Sequence, residues 1–243
     1  TRSKRCTTRA SSADSPNDPG IDRELGVRST TDPTATPDGE RTLSMWPWEH
    51  VLFAYVFYSI YVHLRWQKGP LDAPTVALAV GSVIPDLIDK PLAWQFGVFD
   101  SGYALAHSAF VAVPLAAAIY LFADRRGHGS VGAAYGVGHL FHIAGDVLPV
   151  SLAHGAFDPT PALWPIAGSP RPADRMTVSF FDGVYTLLSE YVSVLATLEV
   201  TPVIALQIGS LIFGLVLWTH DGFPGPRLLI RWVRIGGRTA VHR

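Results

Sequence analysis

The chain has 243 residues, a formal net charge of −1 and 48% hydrophobic against 16% charged residues, a composition typical of a polytopic membrane protein. Because the charge is near zero and no basic run is interleaved with aromatic residues, nucleic acid is not an expected partner. The only cysteine, Cys6, lies in a polar leader, which excludes disulfides within the chain and thiolate metal sites.

Residues 1–44 are rich in Ser, Thr, Asp, Pro and Arg and contain almost no large apolar side chains. Such a segment cannot bury enough apolar surface to offset the entropy of folding, so we expect a disordered N-terminal tail. Because no early apolar run follows Thr1, we expect no cleavable signal peptide. The first spanning segment would then act as the targeting signal.

The hydrophobic pattern beyond the tail predicts an all-α, polytopic membrane helical bundle of about six spans. The first, 46–66, is long enough to cross a hydrocarbon layer about 30 Å thick. The second, 73–84, is short and is expected to end at Pro85, where proline and charge stop a helix. The membrane domain is expected over 45–222, with a basic C-terminal tail over 223–243. The other predicted spans are 103–122, 131–152, 184–198 and 202–218.

The fourth predicted span carries His139, His142 and Asp146. Their spacing confines the three side chains to an arc of about 60° on one helix face. An aspartate inside a span costs roughly 2.5–3.5 kcal/mol on insertion scales, so Asp146 needs a metal, a histidine or water as a partner. The shared face favours a functional site over three unrelated interior hydrogen bonds.

Alternating spans bring further polar side chains to the same side of the membrane. Odd helices start and even helices end on one side, with His107 expected in the first turns of the third helix. Imidazole and carboxylate groups without sulfur suit zinc, manganese or iron, and such an ion activates water for hydrolysis. The side chains predicted at this pocket are His50, Asp86, Asp89, His107 and Asp146, with His139 and His142 deeper.

Other polar residues receive weaker predictions. His63 is expected at the opposite interface, and no role is assigned to His220. His154 follows the fourth span on the site side and is a weak candidate. Glu190 is the remaining acid within the predicted spans, with an orientation that the sequence does not fix.

Five short motifs follow one another in a recognisable order. They are Glu49-His50, Ile84-Pro85-Asp86-Leu87-Ile88-Asp89, Ala106-His107-Ser108, the Gly-rich His142-x-x-x-Asp146 helix and Leu163-Trp164-Pro165. Over about residues 45–168 the chain resembles the YdjM-like family of membrane-bound, metal-dependent hydrolases. That family is regarded as distantly related to zinc-dependent phospholipase C and P1-type nucleases.

The resemblance implies a divalent metal, with zinc first and manganese or magnesium as alternatives. Asp89 and Asp146 are the expected catalytic residues, and His139, Ser108 and Trp164 are expected to support the ligands. The chain departs from the family pattern at Lys90, where a histidine is frequent, and at Ser101-Gly102-Tyr103, where His-Arg-Gly is frequent. The implied metal ligands are His50, Asp86, Asp89, His107, His142 and Asp146.

The predicted function is a membrane-bound, metal-dependent hydrolase that acts on a phosphoester or lipid-like substrate through a metal-activated water. Its expected partners are membrane lipid and a small-molecule or lipid substrate. The alternatives are a divalent-cation or proton transporter and a non-catalytic membrane protein with a structural metal. A path for ions needs polar residues in both halves of the bilayer, whereas here they gather in one.

Positively charged residues on the loops predict how the protein is oriented in the inner membrane. With six spans, both termini and the site would lie on the cytoplasmic side. The basic residues expected on that side are Arg41, Lys90, Arg171, Arg175 and the arginines of the C-terminal tail.

Overall fold

The computed structural model describes residues 45–167, 179–197 and 200–228, and its regular elements there are all helical. The predicted tail over 1–44 and most of the basic C-terminal tail lie outside the described residues. The all-α prediction is confirmed for the described part of the chain. Its helices are α1 Pro47–Trp66, α2 Asp72–Trp94, α3 Ala109–Asp124, α4 Gly129–His154, α5 Phe180–Thr197 and α6 Pro202–His220, with a 3-10 turn at Thr160–Ala162.

Helix α1 starts with a proline and a glutamate that favour a helix N-terminus. Pro47 occupies the first turn, where its missing N–H removes no helical hydrogen bond. The Glu49 carboxylate accepts a hydrogen bond of 2.6 Å from the backbone N–H of Trp46. The helix ends where Gln67 adopts a left-handed conformation. These signals place His50 in the first turn of α1.

Helix α2 is longer than the sequence predicts, because it continues through Pro85 and Pro91 to Trp94. A proline inside a helix removes one hydrogen bond and costs about 3 kcal/mol or more. Burial of the segment after Pro85 offsets that loss, since Pro85 and Asp89 are buried together with Trp94. The prediction that α2 ends at Pro85 is therefore wrong, and the continuation puts Asp86 and Asp89 on a helix.

Two glycines allow α2 and α4 to pack with their backbones in close contact. A Cβ atom on Gly138 of α4 would lie 2.1 Å from the carbonyl oxygen of Leu78. A Cβ atom on Gly81 of α2 would lie 2.3 Å from the carbonyl oxygen of Tyr135. Helix α4 also packs along α3, so it lies at the centre of the bundle.

Helix α3 begins at Ala109 rather than at residue 103. The six preceding residues form an irregular turn, with Ser108 in an extended conformation at the N-cap. The backbone N–H groups of Ala104, Ala106 and His107 all donate to Asp89. These hydrogen bonds to Asp89 replace the backbone hydrogen bonds that a helix would make. His107 therefore lies in a loop and not in the first turns of a helix.

Helix α5 lies across the end of the bundle that holds the N-terminus of α1 and the C-terminus of α2. Near its start, the Phe180 N–H donates to the side chain of Gln95, which follows α2. About three turns further along, the Tyr191 hydroxyl donates to Glu49 in the first turn of α1. Both contacts lie at the same end of the bundle, so the prediction of a span over 184–198 is not confirmed.

Helix α6 runs parallel to α1. Gly214 packs against Leu52 near the start of α1, and Asp221 accepts hydrogen bonds from Ser59 and His63 near its end. Among the described residues, α6 is the one helix long and apolar enough to cross a membrane by length and composition, and α3 is apolar but shorter. The number of six spans is therefore not confirmed.

Candidate metal centre

Five of the predicted ligands converge where α1 begins and α2 and α4 end. Within the described residues they form two groups of three whose ligand atoms all lie within 4.8 Å of one another. One group is His107, His142 and Asp146, and the other is His50, Asp86 and His142. All five side chains are buried. Helix alternation among α1 to α4 thus brought the right residues to one end.

The spacing of the ligand atoms fits a tetrahedral ion. His107 Nε2 lies 3.1 Å from His142 Nε2 and 3.6 Å from Asp146 Oδ2. His142 Nε2 and Asp146 Oδ2 are 3.3 Å apart, and Asp86 Oδ1 lies 3.4 Å from His107 Nε2. Ligands held about 2.0–2.2 Å from a zinc ion at tetrahedral angles are about 3.3–3.6 Å from one another.

Hydrogen bonds at the far side of two histidines direct their lone pairs to the same point. His142 Nδ1 donates to the carbonyl oxygen of Ser82 at 2.7 Å, and His107 Nδ1 donates to Asp89 Oδ2 at 2.8 Å. Both partners only accept hydrogen bonds, so each ring, when it is neutral, has its lone pair on Nε2. A carbonyl or carboxylate behind the ring is the usual environment of a metal-binding histidine.

Asp89 is placed behind the cluster rather than in it. Its carboxylate accepts hydrogen bonds from three backbone N–H groups of the loop before α3 and from the His107 ring. Asp89 is completely buried, and neither group of candidate ligands includes it. The arrangement favours a role in fixing the loop and His107 over direct metal binding.

The charge of the buried site and its polar atoms without hydrogen-bond partners indicate whether the residues fit a cation. Asp86, Asp89 and Asp146 bring three carboxylates into the buried site, and Lys90 is the one ammonium group paired with them. Among the described residues, both ring nitrogens of His50 and one oxygen each of Asp86 and Asp146 are buried without a hydrogen-bond partner. Buried carboxylates and orphaned acceptors are costly without compensation. A divalent cation would compensate both the negative charge and the unpaired acceptor atoms, so the residues fit such an ion.

Two residues that depart from the family pattern contact the cluster. Lys90 Nζ lies 2.6 Å from Asp86 Oδ1, one helical turn away on α2. The Tyr103 hydroxyl donates to Asp146 Oδ1 at 3.2 Å. Lys90 could have been found from its i, i+4 spacing to Asp86. The contact of Tyr103 depends on the path of the loop, and no sequence signal predicted it.

The expected supporting residues brace the loop that carries His107. His139 Nε2 donates to the carbonyl oxygen of Ala106 at 2.9 Å. The Ser108 hydroxyl donates to the carbonyl oxygen of Trp164 at 2.6 Å. These contacts fix the backbone on both sides of His107. His139, which the family motif does not include, therefore acts on the loop and does not reach the candidate ligands.

Several polar residues lie away from the centre. Glu190 is exposed, so it does not face the pocket. His154 pairs with Asp158 at 2.8 Å beyond the end of α4. Hydrogen bonds from the hydroxyl and the N–H of Thr160 hold the pKa of Asp158 below its usual value. His63 and His220 lie at the other end of the bundle, where they meet Asp221.

The comparison with known families covers the part of the chain that contains this cluster. Residues 45–222, most of the 243-residue chain, match the family model of the YdjM inner membrane protein. No curated protein and no solved structure matches the chain. The matched range contains every residue of the candidate metal centre, from His50 to Asp146. The chain belongs to the YdjM inner membrane protein family.

Proposed function

We propose that the protein is a multi-pass, metal-dependent hydrolase of the inner membrane that cleaves a phosphoester or lipid-like substrate. The observation that carries this proposal is the set of three ligand atoms on His107, His142 and Asp146, separated by 3.1–3.6 Å. Two directed imidazoles and a carboxylate are a common ligand set for hydrolytic zinc, and manganese or magnesium are alternatives. When bound, the ion would act as a Lewis acid and lower the pKa of a water.

Some residues of the site would bind the ion, and others orient the side chains that bind it. His107, His142 and Asp146 would hold the ion, as their mutual distances of 3.1–3.6 Å allow, and Asp86 lies 3.4 Å from His107 Nε2 beside them. Asp89 keeps the His107 Nδ1 proton in place, as the Ser82 carbonyl does for His142. We therefore assign Asp89 to positioning and keep Asp146 as the carboxylate at the reacting centre.

His50 is suited to proton transfer. Its Nε2 atom lies 3.7 Å from Asp146 Oδ1, and its ring stacks on His142 with centroids 3.9 Å apart. Neither nitrogen has a hydrogen-bond partner among the described residues, so one is free to accept a proton from a water. Imidazole both accepts and donates protons near neutral pH, which suits general base catalysis.

A cationic and apolar environment around the site supports a lipid phosphoester as substrate. Lys90, beside Asp86, supplies a positive charge for an anionic phosphoryl group. Phe96, Phe157 and Ile166 lie at this end of the bundle and are 70%, 80% and 76% exposed. Such side chains would contact acyl chains at the membrane interface. The candidate ligands of this centre lie together in the part of the bundle that also carries these apolar side chains.

The test is bound metal and hydrolysis in tag-free protein purified in detergent. We expect His142→Ala with Asp146→Ala to lose the bound ion and all metal-dependent hydrolysis of phosphodiester and phosphomonoester panels. His50→Gln is expected to keep the ion and lose hydrolysis, because it removes the proton acceptor but spares the principal ligands.

The matched control is His154→Ala with Asp158→Ala, a second His–Asp pair with the same i, i+4 spacing that begins at the last residue of α4 and lies outside the cluster. It is expected to leave metal content and hydrolysis unchanged. Hydrolysis that survives complete removal of metal, or metal content unaffected by the first pair of substitutions, would contradict the proposal.

A further inference from the structure

A second group of ligands lies at the end of the bundle opposite the candidate metal centre. His63 on the last turn of α1 is 13 residues from His50, about 20 Å along the helix. It meets His220, the last residue of α6, and Asp221, which follows it. Their ligand atoms all lie within 4.8 Å of one another.

The carboxylate of Asp221 is held with one oxygen directed at the histidines. Its Oδ2 atom accepts hydrogen bonds of 2.6 Å from the hydroxyl groups of Tyr55 and Ser59. Its Oδ1 atom lies 2.7 Å from His63 Nε2 and 3.3 Å from His220 Nδ1. Two hydroxyl donors behind a carboxylate orient it in the way that outer residues orient a metal ligand.

The buried carboxylate of Asp221 has only histidines as ion-pair partners among the described residues. Its side chain has no exposed surface. The nearby Arg227 pairs with Asp72 instead. The charge of Asp221 is therefore left to the two imidazoles or to an ion bound with them.

Two further features favour a cation at this position. Helices α1 and α6 both end here, and the C-terminus of a helix carries partial negative charge. The His220 side chain is 72% exposed, which leaves an ion an open position for water. His220 Nδ1 already lies about the separation of tetrahedral zinc ligands, 3.3 Å, from Asp221 Oδ1, and His63 Nε2 would have to withdraw from that oxygen by about 0.6 Å.

We propose that His63, His220 and Asp221 form a second metal site, which binds a divalent transition ion such as Zn²⁺ and joins the ends of α1 and α6. Two imidazoles and one carboxylate provide three protein ligands, and water completes the tetrahedron. The site is separate from the candidate metal centre and does not depend on the hydrolase function.

The experiment measures Zn²⁺ stoichiometry and affinity, and the visible absorption of bound Co²⁺, in tag-free protein that carries His142→Ala and Asp146→Ala. This background removes the first centre. We expect one ion per chain to remain, with the absorption of tetrahedral Co²⁺. His220→Ala should weaken its binding by more than about tenfold, since even the loss of an outer partner has that effect.

His154→Ala is the matched control, because His154 is also exposed and also lies beside one carboxylate, but has no second histidine. It should leave the remaining ion in place. If the background variant fails to fold, the same comparison in the otherwise unchanged chain should show that His220→Ala alone removes one ion. A background that folds and binds no ion, or binding that His220→Ala does not alter, would overturn the proposal.

Discussion

Two imidazoles face each other through Nε2 atoms 3.1 Å apart, both with their Nδ1 protons donated elsewhere. When both rings are neutral, their Nε2 lone pairs face each other at that distance and repel unless a cation or a shared proton lies between them. The neighbouring carboxylates of Asp86 and Asp146 add further negative charge at the same point. A divalent ion resolves both conflicts at once, which is why His107 and His142 carry most of the argument for a metal.

Substitution of Asp89 distinguishes a residue that binds the ion directly from one that orients a metal-binding histidine. Asp89→Asn replaces an acceptor by a group with N–H donors opposite the N–H groups of His107 and its loop. We expect metal affinity to fall about 10- to 100-fold without being abolished, because His107 loses its orientation but remains present. Zn²⁺ affinity measured in competition with a chelator checks this.

Asp158→Asn is the matched control for Asp89. Asp158 also accepts a backbone N–H, from Thr160, and also pairs with a histidine, but it lies outside both groups of candidate ligands. Its replacement should leave metal affinity unchanged. A loss of binding in Asp89→Asn as complete as in Asp146→Ala would show that Asp89 contacts the ion directly.

The sequence was a good guide to which residues meet and a poor guide to what each one does. Spacing and helix alternation placed His50, Asp86 and Asp146 correctly, because both depend only on helix geometry. The roles of Asp89 and Tyr103 depend on the path of the irregular loop before α3. That path follows from a carboxylate that competes with the helix for backbone N–H groups, which hydrophobic periodicity does not report.

At the scale of the helices, the misassigned boundaries share a physical cause. Apolar composition predicted that helices exist, but contacts between helices decided where they end. Helix α2 passes through Pro85 because it packs backbone to backbone on α4 through Gly81 and Gly138. Phe181, Tyr185 and Val192 lie on one face of α5 and are 57–80% exposed. A helix that lies across the end of the bundle therefore carries as many apolar residues as a membrane-spanning helix, and composition does not distinguish the two.

The contact between α2 and α4 predicts the effect of Gly138→Ala. The new methyl group would lie 2.1 Å from the carbonyl oxygen of Leu78, so the two helices must separate. We expect a loss of about 1–3 kcal/mol in the free energy of unfolding. Because α2 carries Asp86 and Ser82, and α4 carries His142, metal affinity should fall as well. Thermal unfolding in detergent and bound metal are the measurements.

Gly209→Ala is the control for this substitution. Gly209 lies inside α6, and an added Cβ would meet nothing within 4 Å. Since alanine favours a helix over glycine by about 0.5–1 kcal/mol, the variant should be as stable as the unchanged protein or more so. Equal unfolding midpoints for Gly138→Ala and Gly209→Ala would show that α2 and α4 tolerate separation.

For the whole molecule, the position of α5 changes the expected orientation in the membrane. Since the contacts of α5 hold it at the site end, we expect α6 to cross from that end, and its C-terminus lies beside the end of α1. The prediction that both termini lie on the site side assumed that α5 crosses. We therefore expect Arg227 on the opposite side, together with the basic residues between α1 and α2 and between α3 and α4.

The balance of positive charge now favours the opposite assignment. Among the described residues, Lys90 is the one basic residue at the site end, and it is ion-paired with Asp86. The positive-inside rule therefore predicts that the end away from the candidate metal centre faces the cytoplasm and that the centre faces the outer side. The described basic residues at the end predicted to be cytoplasmic are Arg65, Lys68, Arg125, Arg126 and Arg227.

Single cysteines test this orientation. In a Cys6→Ser background, Phe96→Cys marks the site end and Leu71→Cys the opposite end, at side chains that are 70% and 68% exposed. We expect a membrane-impermeant maleimide to label Phe96→Cys in spheroplasts and Leu71→Cys in inverted membrane vesicles. Detergent-solubilised protein, in which both should react equally, controls for intrinsic reactivity. The reverse pattern would place the metal centre on the cytoplasmic side, and labelling of both cysteines from one side would mean that the helices between them do not cross the bilayer.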